Sequence, residues 1–163
     1  MSRTPFSKLF IVTLSALLVA CNNGAKIQNG PMVTVYKSPT CGCCKAWVSH
    51  LDDAGITTLT RDTADLATLK ADKGIAPQYQ SCHTAVSEDG YVFEGHIPAR
   101  YVEQFLAAPP QDALGLAVPG MPVGSPGMEM LGRFSPYQVL LLKRDGSTQV
   151  FADINRPGST ANE

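Results

Sequence analysis

The stretch MVTVYKSPTCGCCKAW, Met32 to Trp47, decides the fold. Its first part, MVTVY (Met32–Tyr36), is a β-branched run that reads as a strand, and it breaks at Ser38-Pro39-Thr40. From Lys45 to Ala54, the apolar residues Trp47, Val48, Leu51 and Ala54 recur at helical spacing. Ser38 or Thr40 is the expected N-cap, because a hydroxyl can accept one of the unpaired N–H groups of a first helical turn. Three of the five cysteines, Cys41, Cys43 and Cys44, therefore fall where strand gives way to helix.

The segments that follow extend the same alternation. ITTLTR (Ile56–Arg61) alternates like a strand, and ADLATLKADKG (Ala64–Gly74) reads as a helix closed by glycine. SCHTAVS (Ser81–Ser87) and YVFEGHI (Tyr91–Ile97) flank Glu88-Asp89-Gly90, a hairpin signal. Pro98 then opens a helix over PARYVEQFLAA. The order β-α-β-α-β-β-α is the thioredoxin-like arrangement, in which the end of the first strand and start of the first helix carry the reactive group. LGLAVPGMPVGSPGMEM (Leu114–Met130) is poor in periodicity, and YQVLLLKRDGSTQVFADI (Tyr137–Ile154) forms a second hairpin around Asp145-Gly146. The expected fold is α/β, a thioredoxin-like core with an added C-terminal β-hairpin over residues 32–154, and residues 155–163 as a disordered tail. There are no internal repeats.

With 163 residues, 44% of them hydrophobic and 17% charged, the chain suits one ordinary globular domain. Its beginning reads as an address. Arg3 and Lys8 precede LFIVTLSALLVA (Leu9–Ala20), a run too short to span a bilayer and of the length of a signal-peptide core. Leu18-Val19-Ala20-Cys21 resembles the bacterial lipobox, in which the cysteine is lipidated; the alternative is a plain secretory signal with an incidental cysteine. Residues 1–21 are thus expected to be signal and lipobox, residues 22–31 a polar linker, and a lipid on Cys21 the tie to a membrane. Loss of residues 1–20 removes two of the 13 basic residues, leaving 11 against 14 acidic ones, a net charge of −3. No basic patch points to nucleic acid. The expected location is the periplasmic side of the bacterial cell envelope, where thiols are often oxidised.

Two chemistries compete for the cysteines. Cys41 and Cys44, three apart at a helix N-terminus, have the spacing of thiol–disulfide exchange, and the helix dipole favours thiolate there. Cys43 would compete for that disulfide, however. The thioredoxin arrangement also places a cis-proline just before its third strand, where this chain has Gln80-Ser81-Cys82-His83. The metal reading uses those same departures, because Cys82 would join Cys41, Cys43 and Cys44 in one small volume. Four thiolates can hold a tetrahedral zinc. Adjacent helical residues diverge by about 100°, however, so Cys43 and Cys44 suit the bridging of several ions better than the clasping of one. Soft thiolates and thioethers select copper(I). Met121, Met128 and Met130 cluster in a loop rich in glycine and proline, as possible thioether donors or as gap-filling side chains. His83 would point away from Cys82 in a regular strand and is a ligand only if that strand twists or starts late, His96 could approach from the side, and His50 reads as a surface residue. Trp47, Tyr79 and Tyr101 read as packing residues.

Taken together, Cys-Gly-Cys-Cys after the first strand, Gln80-Ser81-Cys82-His83-Thr84, Glu94-Gly95-His96-Ile97-Pro98 and Gly120-Met121-Pro122-Val123-Gly124-Ser125-Pro126-Gly127-Met128-Glu129 resemble the CopG-type periplasmic copper-resistance proteins. The likeness runs from about Met32 to Ile154. It implies a thioredoxin-like fold and a cysteine-bridged copper cluster on Cys41, Cys43, Cys44 and Cys82. His83, His96, Met121 and Met128 also occupy family motif positions. The resemblance implies copper(I) held for copper tolerance by sequestration, by transfer to another envelope copper protein, or by redox cycling. The residues leave open whether the protein is an enzyme. Two alternatives stand beside this reading: a thiol–disulfide oxidoreductase using Cys41 and Cys44, and a structural zinc or disulfide site that only stabilises the domain.

Overall fold

The computed structural model describes Met1 and residues 30–157. The signal peptide and lipobox with Cys21, the linker up to Asn29 and the tail from Gly158 lie outside the described residues. No helix among the described residues is long and apolar enough to cross a membrane.

The chain runs β1 (Met32–Lys37), α1 (Gly42–Asp53), β2 (Thr57–Asp62), α2 (Leu66–Asp72), a 3-10 turn (Pro77–Tyr79), β3 (His83–Ser87), β4 (Val92–Glu94), α3 (Ala99–Ala107), β5 (Ala113–Ala117), β6 (Tyr137–Lys143) and β7 (Thr148–Ile154). The expected β-α-β-α-β-β-α order thus holds from β1 to α3, and the C-terminal hairpin is β6–β7. One element differs from expectation. Residues 113–117, at the start of the stretch read as aperiodic, form β5, which pairs parallel to β4 and antiparallel to β6. The hairpin is thereby joined to the core, giving one seven-stranded mixed sheet in the order β2-β1-β3-β4-β5-β6-β7.

Strand alternation sorts the sheet's side chains onto two faces. Val33, Val35, Ala85, Phe93, Leu116, Val139 and Leu141 meet Trp47 and Leu51 of α1 and Tyr101, Val102 and Phe105 of α3 in the main core. Val92, Ala117 and Leu142 pack with Ile75 on a second, smaller cluster. Leu51, Phe93 and Phe105 are wholly buried, and such side chains contribute about 1.5–3 kcal/mol each.

In α1 the buried residues Cys44, Trp47 and Leu51 form one stripe, so the packing that anchors the helix also aims Cys44 inward. His50 is not a surface residue. It is half-buried, and its Nε2 accepts the Ala99 N–H at 2.9 Å. Pro98 supplies no side-chain cap to α3, so His50 serves an unpaired donor of that helix from α1. Burial holds the His50 imidazole below its ordinary pKa, in keeping with a neutral acceptor.

Candidate metal centre

The cysteine motif begins outside the helix. Cys41 is extended (φ −74°, ψ 99°), and its Sγ accepts the Cys44 N–H at 3.2 Å, so Cys41 is the N-cap of α1. Ser38 and Thr40, the expected caps, instead share a hydrogen bond of 3.1 Å between their hydroxyls. They stand too far back, because the chain turns once more, with the Cys41 N–H bonded to the Ser38 carbonyl, before the helix starts.

Cys41 and Cys44 form a disulfide, whereas Cys43 and Cys82 are free thiols. The Cys41 Sγ lies 3.5 Å from the Cys43 Sγ, and the Cys44 Sγ lies 3.5 Å from the Cys82 Sγ. All four sulfurs fall within 4.8 Å of one another. They converge although Cys43 and Cys44 diverge around the helix, because Cys41 approaches from before α1 and Cys82 from before β3.

Cys82 also belongs to a second group. Its Sγ is 3.0 Å from His96 Nε2 and 3.3 Å from His83 Nδ1, and the three ligand atoms lie within 4.8 Å of one another. His83 would point away from Cys82 in a regular strand, but β3 begins only at His83, the late start under which strand alternation does not govern Cys82. His96 is brought in by Gly95, whose positive φ of 78° turns the chain out of β4. The His96 Nδ1–H donates to the Pro126 carbonyl at 2.7 Å, which leaves Nε2 with its lone pair toward Cys82. His83 is wholly buried with its ring 4.3 Å from that of Trp47, and its Nε2 has no hydrogen-bond partner. An orphaned polar atom at that depth is uncommon and costly.

Burial and the neighbouring Cys43 push the Cys82 thiol up to about 11. Burial depresses both His96 and, more strongly, His83. The centre thus presents neutral imidazoles around a protonated thiol, and a cation bound at Cys82 would displace that proton.

The loop rich in glycine, proline and methionine closes against this centre. The Gly120 N–H reaches the Gln80 carbonyl at 3.2 Å, the Ser81 hydroxyl donates to the Gly120 carbonyl, and Pro126 holds His96. Gly127 lies so close to α1 that a Cβ there would sit 2.7 Å from the Cys43 carbonyl oxygen and 2.9 Å from the Trp47 nitrogen. Met128 is partly buried beside it, whereas the side chains of Met121 and Met130 are about half exposed, at 51% and 48%. A cavity of about 620 Å³ adjoins this loop, lined by His50, Arg100, Pro126, Met130, Phe134 and Tyr137 among others. None of the four cysteines lines it.

Sequence reasoning passed over one group beneath the centre. Lys70 of α2 and Glu94 of β4 form a buried ion pair with Thr84 of β3 between them. Nothing local marks it: Lys70 stands in a short helix of sequence LATLKAD, 24 positions from its partner.

Comparison with known proteins agrees with this arrangement. Residues 79–128, which include Cys82, both histidines and the loop, match the model of a family described as "Protein of unknown function, DUF411". Two solved structures of a copper resistance protein, copG, are similar over almost their whole length. Form 2 is 39% identical with a TM-score of 0.73, covering 77% of this chain and 99% of that chain. Form 1 is 41% identical with a TM-score of 0.71, covering 78% and 98%. No curated protein sequence matches.

Proposed function

The chain belongs to the family of the CopG copper resistance proteins, and we propose on that premise that it is a copper-binding protein of the bacterial envelope. Cys41, Cys43, Cys44 and Cys82 hold copper(I), and the role is copper tolerance. The observation that carries this reading is the group of four sulfurs within 4.8 Å, sharing Cys82 with two buried imidazoles. Thiolate sulfur is soft and favours copper(I) over the harder cations. Sulfurs on adjacent helical residues suit the bridging of more than one ion. His96, whose Nε2 is already oriented toward Cys82, and His83, whose Nδ1 lies 3.3 Å from the Cys82 Sγ, supply imidazole at the edge. Met121 and Met128 supply thioethers from the flanking loop.

The disulfide makes loading depend on redox state. Reduction of Cys41–Cys44 takes two electrons and two protons from a dithiol donor and yields two thiols, whose protons copper(I) then displaces. In the reverse sense, the two thiols can give one electron to each of two copper(II) ions, leaving two copper(I), one disulfide and two released protons. Redox cycling thus stands beside sequestration and transfer to another envelope copper protein as a capacity of the same residues. A signal peptide and lipid on Cys21 would keep the domain on the periplasmic side of a membrane.

One observation favours a second reading, a thiol–disulfide oxidoreductase: the Cys41–Cys44 disulfide lies at a helix N-terminus, where thiolate is stabilised. Against it, Cys82 stands where a peptide-guiding cis-proline would be.

The test is titration of the reduced, anaerobic chain without residues 1–21 with copper(I) against a competing chelator, with bound metal counted by elemental analysis. The expected result is several copper ions per chain, lost in Cys43→Ser and in Cys82→Ser. A single zinc, or no metal together with reductase activity, would overturn the copper reading and favour one of the alternatives.

A further inference from the structure

The ion pair beneath the centre is sealed from water, with the Lys70 and Glu94 side chains 4% and 0% exposed. Lys70 Nζ donates to Glu94 Oε1 and, at 3.0 Å, to Thr84 Oγ1. The Thr84 hydroxyl passes its own hydrogen to Glu94 Oε2 at 2.6 Å. Glu94 Oε1 also accepts the backbone N–H of Ser81 at 2.6 Å. Taking two ions out of water is costly, and apolar residues of similar volume often serve stability equally well. A gain in stability therefore does not explain the pair, but what it holds does.

Ser81 is the residue immediately before Cys82, in a stretch that no strand pairing secures. Glu94 stands two residues before His96, at the end of β4. Its side chain fixes the approach to Cys82, and its backbone fixes the departure toward His96. The Ser81 hydroxyl, bonded to the Gly120 carbonyl, carries the same restraint into the loop whose Pro126 orients His96.

We propose that Glu94, locked in place by Lys70 and Thr84, is a positioning residue for the metal centre. It sets the Cys82 Sγ within reach of the Cys44 Sγ on one side and His96 Nε2 on the other. The proposal rests on the copper reading and deepens it. It assigns the buried pair a task at the site, separate from any contribution to folding.

The test compares two charge-neutral double variants with the wild-type chain. Lys70→Met/Glu94→Leu removes both ions and the acceptor for the Ser81 N–H. Lys70→Met/Glu94→Gln removes both charges but keeps an amide oxygen for that N–H. Thermal unfolding monitors the fold, copper(I) titration reads the loaded site, and the rate of Cys82 alkylation by iodoacetamide, followed by peptide mass in the disulfide form, reads the metal-free site. Loss of an outer partner of a ligand typically weakens metal binding about 10- to 100-fold. That loss, with severalfold faster Cys82 alkylation, is expected for the Leu variant, and recovery of most of both for the Gln variant.

A folded Leu variant with unchanged copper affinity and alkylation overturns the proposal, as does a Gln variant no better than the Leu one. If the Leu variant does not fold, Thr84→Val, which frees one carboxylate oxygen, should move both readouts in the same direction by less; no movement counts against positioning. Wild-type protein that takes up no copper(I) would sink the copper reading instead, and the alkylation comparison would still decide the positioning role.

Discussion

Replacing Gly127 by alanine tests whether the loop is seated against the start of α1. Gly127 has φ +83°, and an added Cβ would meet the Cys43 carbonyl oxygen at 2.7 Å, the Trp47 nitrogen at 2.9 Å and the Ala46 Cβ at 3.3 Å. The two shortest contacts are backbone atoms of a packed helix, which cannot swing aside. The left-handed backbone costs an alanine about 1–2 kcal/mol, and overpacking adds about 1–3 kcal/mol. The sum, about 2–5 kcal/mol, is a large share of the roughly 5–15 kcal/mol that holds a domain together. With a urea slope of about 2 kcal/mol per molar, the midpoint should fall by about 1–2.5 M. Trp47, the sole tryptophan, lies at the contact and reports the transition by its fluorescence. Gly132→Ala is the control, because Gly132 shares the positive φ of +67° but has open space around it, so only the backbone cost should appear. Equal shifts for the two variants would refute the steric argument and with it the seating of the loop.

Other consequences can be checked on the same protein. Burial lowers the pKa of His50, His83 and His96, so the unfolded chain binds protons first, near its ordinary value of about 6.5. Stability of the metal-free disulfide form is therefore full above that value and should fall as pH drops from 7.5 to 5.5, by up to about 1.4 kcal/mol per pH unit for each histidine; a flat urea midpoint over that range contradicts this. Trp47→Phe removes the Nε1–H that reaches the Ile97 carbonyl at 2.8 Å and should cost about 1–3 kcal/mol in urea unfolding for the unpaired buried acceptor. Copper(I) uptake should be lower in the disulfide form than after reduction, because Cys41 and Cys44 are engaged with each other; equal uptake in a chelator competition would place the metal elsewhere.

The parts of the fold that repeat in sequence were legible, and the parts that depend on a particular bend were not. Trp47, Val48 and Leu51 announce α1 by spacing, and Asp89-Gly90 and Asp145-Gly146 mark turns in which each glycine takes a positive φ. β5 escaped because Ala113–Ala117 is covered on both faces, so it shows no alternation. Its Gly115, where a Cβ would collide with the Val92 carbonyl, reads in sequence as a loop residue. At the site, spacing brought Cys41, Cys43 and Cys44 together, and fold order added Cys82. His83 depended on where β3 starts, which the sequence leaves open by a residue, and His50 was misjudged because its partner is the first N–H of another helix. The Lys70–Glu94 pair was invisible for a related reason: a charged side chain is buried only when a distant one meets it, and nothing at either position names the other.

Cys41 has a double attachment with a consequence for how the centre could be watched. The sulfur that shields the Cys44 amide is one of the atoms that forms the disulfide and one that copper would engage. Any change in its bonding therefore alters the electron density offered to that amide, at the opening turn of α1. Hydrogen–deuterium exchange at Cys44 becomes a local gauge of oxidation and loading, while amides deeper in α1, closed by the helix itself, keep a steady clock for comparison.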